Sequence, residues 1–268
     1  MRCLNLGCGA RFHSDWVNLD LQPCSPAVRK WDLQKELPFS DAFFDVVYHS
    51  HVLEHFCKRE GLRLLGECRR VLKLGGIVRT AVPDLERIAR LYIEALDKSL
   101  AGDPVWQARY EWILLEMYDQ TVRGSSGGEM LTYLRQEPVP EQDFIARRIG
   151  GELHRISVEA SKQTDGKSRR RQFALRSSIS RRVARLILGK EGIRAHDEGA
   201  FRLSGEIHRW MYDRYSLAQA LERAGFRSPR SLGAAESAIP GWTSFNLDTE
   251  PDGRVYKPDS LFMEATRA

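Results

Sequence analysis

Two glycines and one aspartate near the N-terminus have the types and spacing needed to bind a nucleoside. Gly7 and Gly9 directly follow a short apolar run, where a turn without Cβ atoms lets backbone N–H groups approach a ligand. Asp20 ends the next apolar run, and a carboxylate at the tip of a second strand can accept hydrogen bonds from ribose hydroxyls. A Gly-x-Gly pair alone is equally typical of a structural tight turn. Together with Asp20, it predicts a nucleoside-containing ligand.

Three histidines accompany the next strongly apolar run of the chain. His49, His51 and His55 have a spacing that superficially resembles a metal-binding cluster. His51 and His55 would share one face of a helix, but His49 would belong to the end of the preceding strand, and no cysteine pair supplements them. Helix capping and packing are the commoner roles of such histidines, so the sequence predicts no metal site.

The pattern of apolar residues predicts the elements that position these side chains. Short apolar or alternating runs indicate strands, and spacings of three and four residues indicate helices. The predicted strands cover residues 2–7, 16–21, 43–48, 77–82, 228–232 and 260–265, with a brief further strand at 31–33. The predicted helices cover residues 62–72 with a C-cap at Gly75–Gly76, 84–99 with an N-cap at Asp84, 105–118, and 217–224 with an N-cap at Ser216. Strands that alternate with helices in this way predict a mainly parallel sheet covered on both faces.

Positive charge is concentrated in one segment of the chain. The net charge is +5, whereas residues 162–194 alone carry +9, which leaves −4 for the rest. This segment contains Arg169–Arg171 and Arg181–Arg182 beside apolar residues, a pattern typical of a basic amphipathic helix. Three interpretations stay open: a solvated face; contact with an anionic sugar, a phosphorylated lipid-linked acceptor or a membrane surface; and nucleic acid. Nucleic acid ranks last because no recognised RNA or DNA module accompanies the charge.

The cysteines and the N-terminus favour a cytoplasmic protein. The five cysteines are odd in number and form no C-x-x-C pair, as expected in a reducing compartment. The first residues run at once into the predicted first strand, which leaves no room for the apolar region of a signal peptide. No run approaches the ~20 apolar residues that span a bilayer.

Several motifs, taken in their order, resemble class I, type 11-like, S-adenosylmethionine-dependent methyltransferases. They are Leu-Asn-Leu-Gly-Cys-Gly at 4–9, the strand ending in Asp20, Trp-Asp-Leu at 31–33, Leu-Pro-Phe at 37–39, His-Val-Leu-Glu-His at 51–55, and the stretches 67–76, 215–226 and 259–264. The resemblance implies an α/β fold with a Rossmann-like, seven-stranded, mainly parallel sheet and a large helical insertion. It divides the chain into a cofactor-binding half of the core at 1–99, a helical, basic insertion at 100–205 that shapes the acceptor site, and the rest of the core at 206–268.

The resemblance also implies which residues hold the cofactor, S-adenosyl-L-methionine. In this family the glycine turn, here Gly7 and Gly9, holds the methionine end. The acidic residue after the second strand, here Asp20, holds the ribose. Asp32 and the backbone of Leu33 are implied to contact the adenine. His49 and Ser50 are implied to line the cofactor near its methyl group.

The connection between the first two predicted strands departs from the family pattern. Only residues 10–15 separate the glycine turn from the second strand, whereas a crossover with a helix normally needs a dozen or more residues. The usual first helix is therefore predicted to be shortened or lost. This abbreviated form resembles a bacterial subgroup often linked to cell-surface saccharide pathways. Because no lid is expected ahead of the first strand, the insertion is predicted to cover the cofactor.

The resemblance implies methyl transfer, in which the enzyme chiefly positions the acceptor and removes its proton. For a hydroxyl acceptor, the candidate bases are His51 and His208, with Glu54 as a third; a purely structural role for each is equally open. The predicted function is O-methylation of a saccharide or other small-molecule hydroxyl. The alternatives are an RNA or DNA methyltransferase and a non-catalytic protein that only binds the cofactor.

Overall fold

The computed structural model describes residues 1–151, 153, 189 and 191–268. The chain divides into two compact units. The first unit is Met1–Glu94, Arg147–Gly150 and His208–Ala268, and the second is Ala95–Ala146 and Gly151–Ile207. Most of the predicted basic helix, including Arg169–Arg171 and Arg181–Arg182, lies outside the described residues.

Seven strands form one sheet in the first unit. They are β1 Cys3–Leu6, β2 Val17–Asp20, β3 Val28–Lys30, β4 Phe44–Ser50, β5 Leu72–Pro83, β6 Phe226–Leu232 and β7 Ser260–Arg267. Their order across the sheet is β3-β2-β1-β4-β5-β7-β6. The first five strands in that order are parallel, and β7 is antiparallel to both of its neighbours. The predicted Rossmann-like, seven-stranded, mainly parallel sheet is confirmed.

Six α-helices have bounds defined within the described residues. They are α1 Lys58–Val71, α2 Leu85–Leu100, α3 Pro104–Val122, α4 Gly128–Leu134, α5 Gln142–Ile149 and α6 Arg214–Arg223, with 3₁₀ turns at Leu53–His55 and Trp242–Phe245. Residues 191–202 are helical as well. Asp84 lies at the start of α2 and accepts a hydrogen bond from the Arg87 backbone, as predicted. No helix in the described part of the chain is both long and apolar enough to cross a bilayer.

The predicted end of α1 at Gly75–Gly76 is wrong, because the helix ends at Val71 and β5 begins at Leu72. Leu72 is fully buried and pairs with Phe44 of β4, so strand pairing takes precedence over the glycine cap. The glycine pair lies instead at an irregularity in the β4–β5 register. A Cβ at Gly76 would lie 2.9 Å from the Lys73 carbonyl oxygen, so this bend needs a residue without a side chain.

Two further local predictions are also corrected. The brief strand predicted at 31–33 is found at Val28–Lys30, because Asp32 forms a turn in which its side chain accepts the Gln34 N–H. Helix α6 begins at Arg214 rather than behind Ser216. Its N-cap is Asp213, which accepts the Ser216 N–H, while the Ser216 hydroxyl accepts the Asp213 N–H.

Helices α1 and α6 cover one face of the sheet with apolar side chains. Leu64, Leu65 and Cys68 of α1 are fully buried, as are Leu217 and Leu221 of α6. They belong to one core cluster with residues of the central strands. This packing holds the carboxyl ends of β1, β4 and β5 at one edge, where the predicted ligand residues lie.

The opposite face of the sheet lacks the usual first helix. Residues 7–16, which connect β1 to β2, contain no helix, as the sequence predicted. A right-handed crossover at this point would place a helix on the face opposite α1. Here Trp16 instead packs edge-on against Trp242 and Phe245 of the long β6–β7 connection, with Tyr48 beside them. The late connection therefore covers the surface that the shortened one leaves open.

Arg79 of β5 fastens this late connection to the sheet. Its side chain is fully buried and forms ion pairs of 2.8 Å with both Asp248 and Glu264. Its remaining N–H groups donate to the backbone carbonyls of Gly233, Ala234 and Glu236. All five donors of the guanidinium are thus used, and four of its five partners belong to the β6–β7 connection.

Candidate functional site

The glycine turn and Asp20 lie side by side at the carboxyl edge of the sheet. Gly7 and Gly9 have φ angles of 61° and 53°, a region that favours glycine. The two Asp20 carboxylate oxygens accept the backbone N–H groups of Gly9 and Gln22, each at 2.8 Å. A carboxylate oxygen has two lone pairs, so Asp20 retains acceptor capacity for ribose hydroxyls. A Cβ at Gly9 would meet nothing within 4 Å, which leaves an open approach to this turn.

Gly7 also brings the turn against the segment that carries the candidate bases. A Cβ at Gly7 would lie 2.4 Å from Cγ2 of Val52, the residue after His51. In the sheet, Leu6 pairs with His49, so Gly7 and Ser50 are the next residues on neighbouring strands. The absence of a side chain at Gly7 therefore allows the glycine turn to lie close to Val52.

The Asp32–Leu33 segment follows β3 and is held by helix α1. Arg63 donates a 2.9 Å hydrogen bond to the Leu33 carbonyl. Glu67 accepts the Leu37 N–H at 2.8 Å, and Arg70 donates to the carbonyl oxygens of Leu37 and Phe39. Three α1 side chains thus fix the loop that carries the predicted adenine contacts.

The Glu67–Arg70 pair makes a pH-dependent contribution to the free energy of unfolding. The short hydrogen bond that Arg70 donates to Glu67 lowers the pKa of Glu67, and the Leu37 N–H lowers it further. Because the folded pKa lies below the unfolded value of about 4.3, this stabilisation is complete above that value and is lost as the pH falls through the folded pKa. Glu67→Gln should therefore flatten the acid limb of the stability profile.

The measurement is urea unfolding at several pH values between about 3 and 6. Glu222→Gln, at an exposed position on α6, is the matched control and should leave the slope as in the parent chain. Equal slopes for Glu67→Gln and the parent protein would contradict this role of Glu67.

His49 and Ser50 end β4 in different environments. His49 is fully buried, and its Nε2 lies 3.1 Å from the Thr80 hydroxyl. Burial lowers the pKa of His49 to about 4, so its ring is neutral at pH 7. The buried Nδ1 atom forms no hydrogen bond. Ser50 is only half-buried and lies at the edge of the sheet.

His51 adopts a backbone conformation that is uncommon for a residue with a side chain. Its φ is 53°, and its N–H is held by the Ala81 carbonyl of β5 at 2.9 Å. The ring Nε2 lies 2.8 Å from the Ser260 hydroxyl, and Nδ1 lies 3.3 Å from Oε1 of Glu54. Its side chain keeps 13% exposure. A Ser–His–Glu series therefore runs inward from the edge of the sheet.

Glu54 is completely buried at the centre of a group of histidines. Besides His51, Nε2 of His208 lies 4.0 Å from Glu54 Oε1. The rings of His55 and His208 meet edge-on at 5.0 Å. The backbone carbonyl of Glu54 accepts the N–H groups of Arg209 and Trp210, which fixes the His208 segment against this 3₁₀ turn.

These neighbours determine the charge of Glu54. Burial by itself raises the pKa of Glu54, but the adjacent His51 ring and the electrostatic effect of His51, His55 and His208 outweigh it and lower the pKa to about 2. Glu54 is therefore a fully buried anion at neutral pH.

The structure brings together all three predicted base candidates, His51, Glu54 and His208. It also adds two residues to this group that were not predicted as bases, Ser260 and His55. Ser260 lies 209 positions after His51, so no local sequence signal relates them. His49, His51 and His55, whose spacing resembled a metal-binding cluster, do not form such a group in the structure. Among the described residues, the group with metal-type donors is Glu54, His55 and His208.

Comparison with known proteins gives one family match, over about a quarter of the chain. The sequence profile of the methyltransferase domain family matches residues 15–80, which include β2, β3, β4, most of β5 and the His51–Glu54 segment. None of the curated proteins matches the sequence.

Solved methyltransferase structures are similar only in a limited way. An S-adenosylmethionine-dependent methyltransferase from Thermotoga maritima is 12% identical, with coverage of 100% of this chain and 82% of the other and a TM-score of 0.41. One from Archaeoglobus fulgidus is 12% identical, covers 99% and 86%, and has a TM-score of 0.38. One from Mesorhizobium loti is 22% identical, with coverage of 31% of this chain and 47% of the other and a TM-score of 0.25. Because these TM-scores lie below 0.5, they carry no argument about this chain.

The profile match and the strand order together support one class of protein. The chain is an S-adenosylmethionine-dependent methyltransferase with the Rossmann-like fold of class I enzymes, and S-adenosylmethionine is its cofactor. The glycine turn with an open side and the carboxylate with spare acceptor capacity fit this cofactor.

Proposed function

We propose that the enzyme methylates a hydroxyl group of a saccharide or another small molecule. The observation that carries this proposal is the His51–Glu54 pair, a histidine at the sheet edge backed by a buried anion. A hydroxyl oxygen loses its proton when it is methylated, and an imidazole held by a carboxylate is suited to receive that proton. The helix-free connection between β1 and β2 supports the saccharide-linked subgroup.

Cofactor binding is assigned to the residues along the carboxyl edge. Asp20 would accept hydrogen bonds from the ribose hydroxyls, and the backbone at Gly7 and Gly9 would border the methionine end. Asp32 and the Leu33 backbone would contact the adenine, with Ser50 and His49 nearer the reacting end. When bound, S-adenosylmethionine supplies a methyl group that its sulfonium already makes electrophilic.

His51 is the proposed base among the three candidates. Its side chain keeps 13% exposure, whereas Glu54 is completely buried and His208 is 5% exposed. Nε2 of His51 would take the acceptor proton, directly or through the Ser260 hydroxyl, while the acceptor oxygen forms its bond to the methyl carbon. The bond from that carbon to the sulfonium sulfur would break at the same time, with S-adenosylhomocysteine as the leaving group. Glu54 would then hold the ring through Nδ1, and His208 would help to keep Glu54 in place.

The proposed role of Asp20 predicts a loss of cofactor affinity in Asp20→Ala. The variant loses charge-assisted hydrogen bonds to the ribose, so binding of S-adenosylmethionine and S-adenosylhomocysteine should weaken by about 1.5–3 kcal/mol. Calorimetric titration measures this. Asp15→Ala, with an exposed carboxylate in the same connection, is the matched control and should bind normally. Unchanged affinity in Asp20→Ala would refute the ribose assignment.

The acceptor class is tested by S-adenosylhomocysteine formation with separate panels of neutral saccharides, anionic saccharides and lipid-linked sugars. Turnover with one of them supports the proposal. Turnover only with RNA or DNA, with a steep salt dependence, would replace it with a nucleic-acid methyltransferase. Cofactor binding without turnover on any acceptor would favour a non-catalytic binding protein. That residues 100–205 shape the acceptor site stays a prediction from the sequence.

A further inference from the structure

The group of Glu54, His55 and His208 has the donor atoms of a metal site. A carboxylate oxygen of Glu54 and one ring nitrogen from each histidine all lie within 4.8 Å of one another. Glu54 and His208 are buried, and His55 is half-buried. The backbone hydrogen bonds from Arg209 and Trp210 to the Glu54 carbonyl keep the two chain segments together.

A second observation concerns the Glu54 carboxylate itself. It is 0% exposed, yet neither of its oxygens accepts a hydrogen bond of acceptable geometry. A buried ionised carboxylate normally has hydrogen-bond donors, an ion partner or a metal, because its loss of hydration is costly. The histidine contacts of 3.3 and 4.0 Å compensate its charge only in part. The carboxylate thus accepts no hydrogen bond, although Nδ1 of His51 lies 3.3 Å from it, and it lies within 4.8 Å of the two other metal-type donors.

We propose that Glu54, His55 and His208 bind one divalent transition-metal ion, with Zn²⁺ as the best match. Two imidazoles and one carboxylate form a donor set that Zn²⁺ and similar borderline ions prefer to the oxygen-binding Mg²⁺ and Ca²⁺. Ligand bonds of about 2.0–2.2 Å require the three donors, which lie within 4.8 Å of one another, to move closer together when the ion binds. Three protein ligands leave a fourth position open.

The open position gives the ion a role in the proposed reaction. A bound divalent ion lowers the pKa of an oxygen ligand, so a hydroxyl at the fourth position would lose its proton more readily. His51, whose Nδ1 lies 3.3 Å from Glu54, would stand next to that ligand. This role rests on the proposed hydroxyl acceptor, whereas binding of the ion does not.

The test is calorimetric titration of metal-free full-length protein with ZnCl₂, without cofactor or acceptor. We expect one equivalent to bind, and Glu54→Gln, His55→Gln and His208→Gln each to weaken binding by more than ~100-fold. His196→Gln removes an exposed histidine outside this group and should bind as the parent protein does. Zn²⁺ should also raise the unfolding temperature of the parent protein and of the control, but not of the ligand variants.

The absorption spectrum of bound Co²⁺ distinguishes binding at this site from binding to any of the five free cysteines. Ligation by nitrogen and oxygen gives d–d bands without thiolate-to-metal charge transfer, whereas cysteine ligation gives the charge-transfer band. Absence of binding by the parent protein, binding retained in the ligand variants, or a thiolate band would each overturn the proposal. If Glu54→Gln does not fold, His55→Gln decides, because His55 is the least buried ligand. Methyl transfer that persists in a chelator would remove only the catalytic role, so the two proposals fail separately.

Discussion

Replacing Arg79 with methionine should lower the free energy of unfolding by about 3–5 kcal/mol. The substitution keeps much of the side-chain volume but leaves Asp248 and Glu264 buried without their cation. Burial already raises the pKa of Asp248 against the opposing effect of Arg79. Three backbone carbonyls of the β6–β7 connection would lose their donor at the same time. The loss should appear in urea unfolding as a lower midpoint.

Two further variants show whether the loss comes from uncompensated buried charge. Arg254→Met removes an arginine that is 81% exposed, and it should change stability by less than about 0.5 kcal/mol. Adding Asp248→Asn and Glu264→Gln to Arg79→Met should restore part of the stability, because neutral amides cost less to bury than ionised carboxylates. A loss below about 1 kcal/mol in Arg79→Met would show that the connection is held mainly by its aromatic contacts with Trp16.

Replacing His51 with alanine should slow methyl transfer by about 100-fold or more while the cofactor still binds. The reason is that the acceptor hydroxyl loses its proton acceptor, whereas Asp20 and the glycine turn keep their hydrogen bonds. The measurements are kcat at saturating S-adenosylmethionine, with an acceptor from the panels above, and the affinity for S-adenosylhomocysteine.

Ser260→Ala and His196→Gln complete this experiment. Ser260→Ala removes the hydroxyl that lies 2.8 Å from Nε2 of His51. A loss similar to that of His51→Ala would indicate that the proton passes through Ser260, and a small loss would indicate direct transfer. The exposed His196 should be replaceable without effect. Full activity in His51→Ala would assign this histidine a purely structural role.

The local elements were predictable where one short-range pattern dominated. The β4 run, the cap at Asp84 and the apolar spacing of α1 each depend on residues a few positions apart. The prediction failed at Gly75–Gly76 because pairing of Leu72 with Phe44, 28 positions away, overrides a local helix-ending signal. The N-cap of α6 is Asp213 rather than the predicted Ser216, which lies three residues later at N3, because the backbone becomes helical at Arg214.

The sequence by itself determined the glycine turn, Asp20, the strand pattern and the shortened β1–β2 connection, because these features depend on residue type and near-neighbour spacing. Only the tertiary structure decided what compensates for the missing helix and what surrounds Glu54. Arg79 meets Asp248 across 169 positions, and His51 meets Ser260 across 209. Such contacts follow from strand order and burial, which bring distant segments to one edge of the sheet, and no local pattern encodes them.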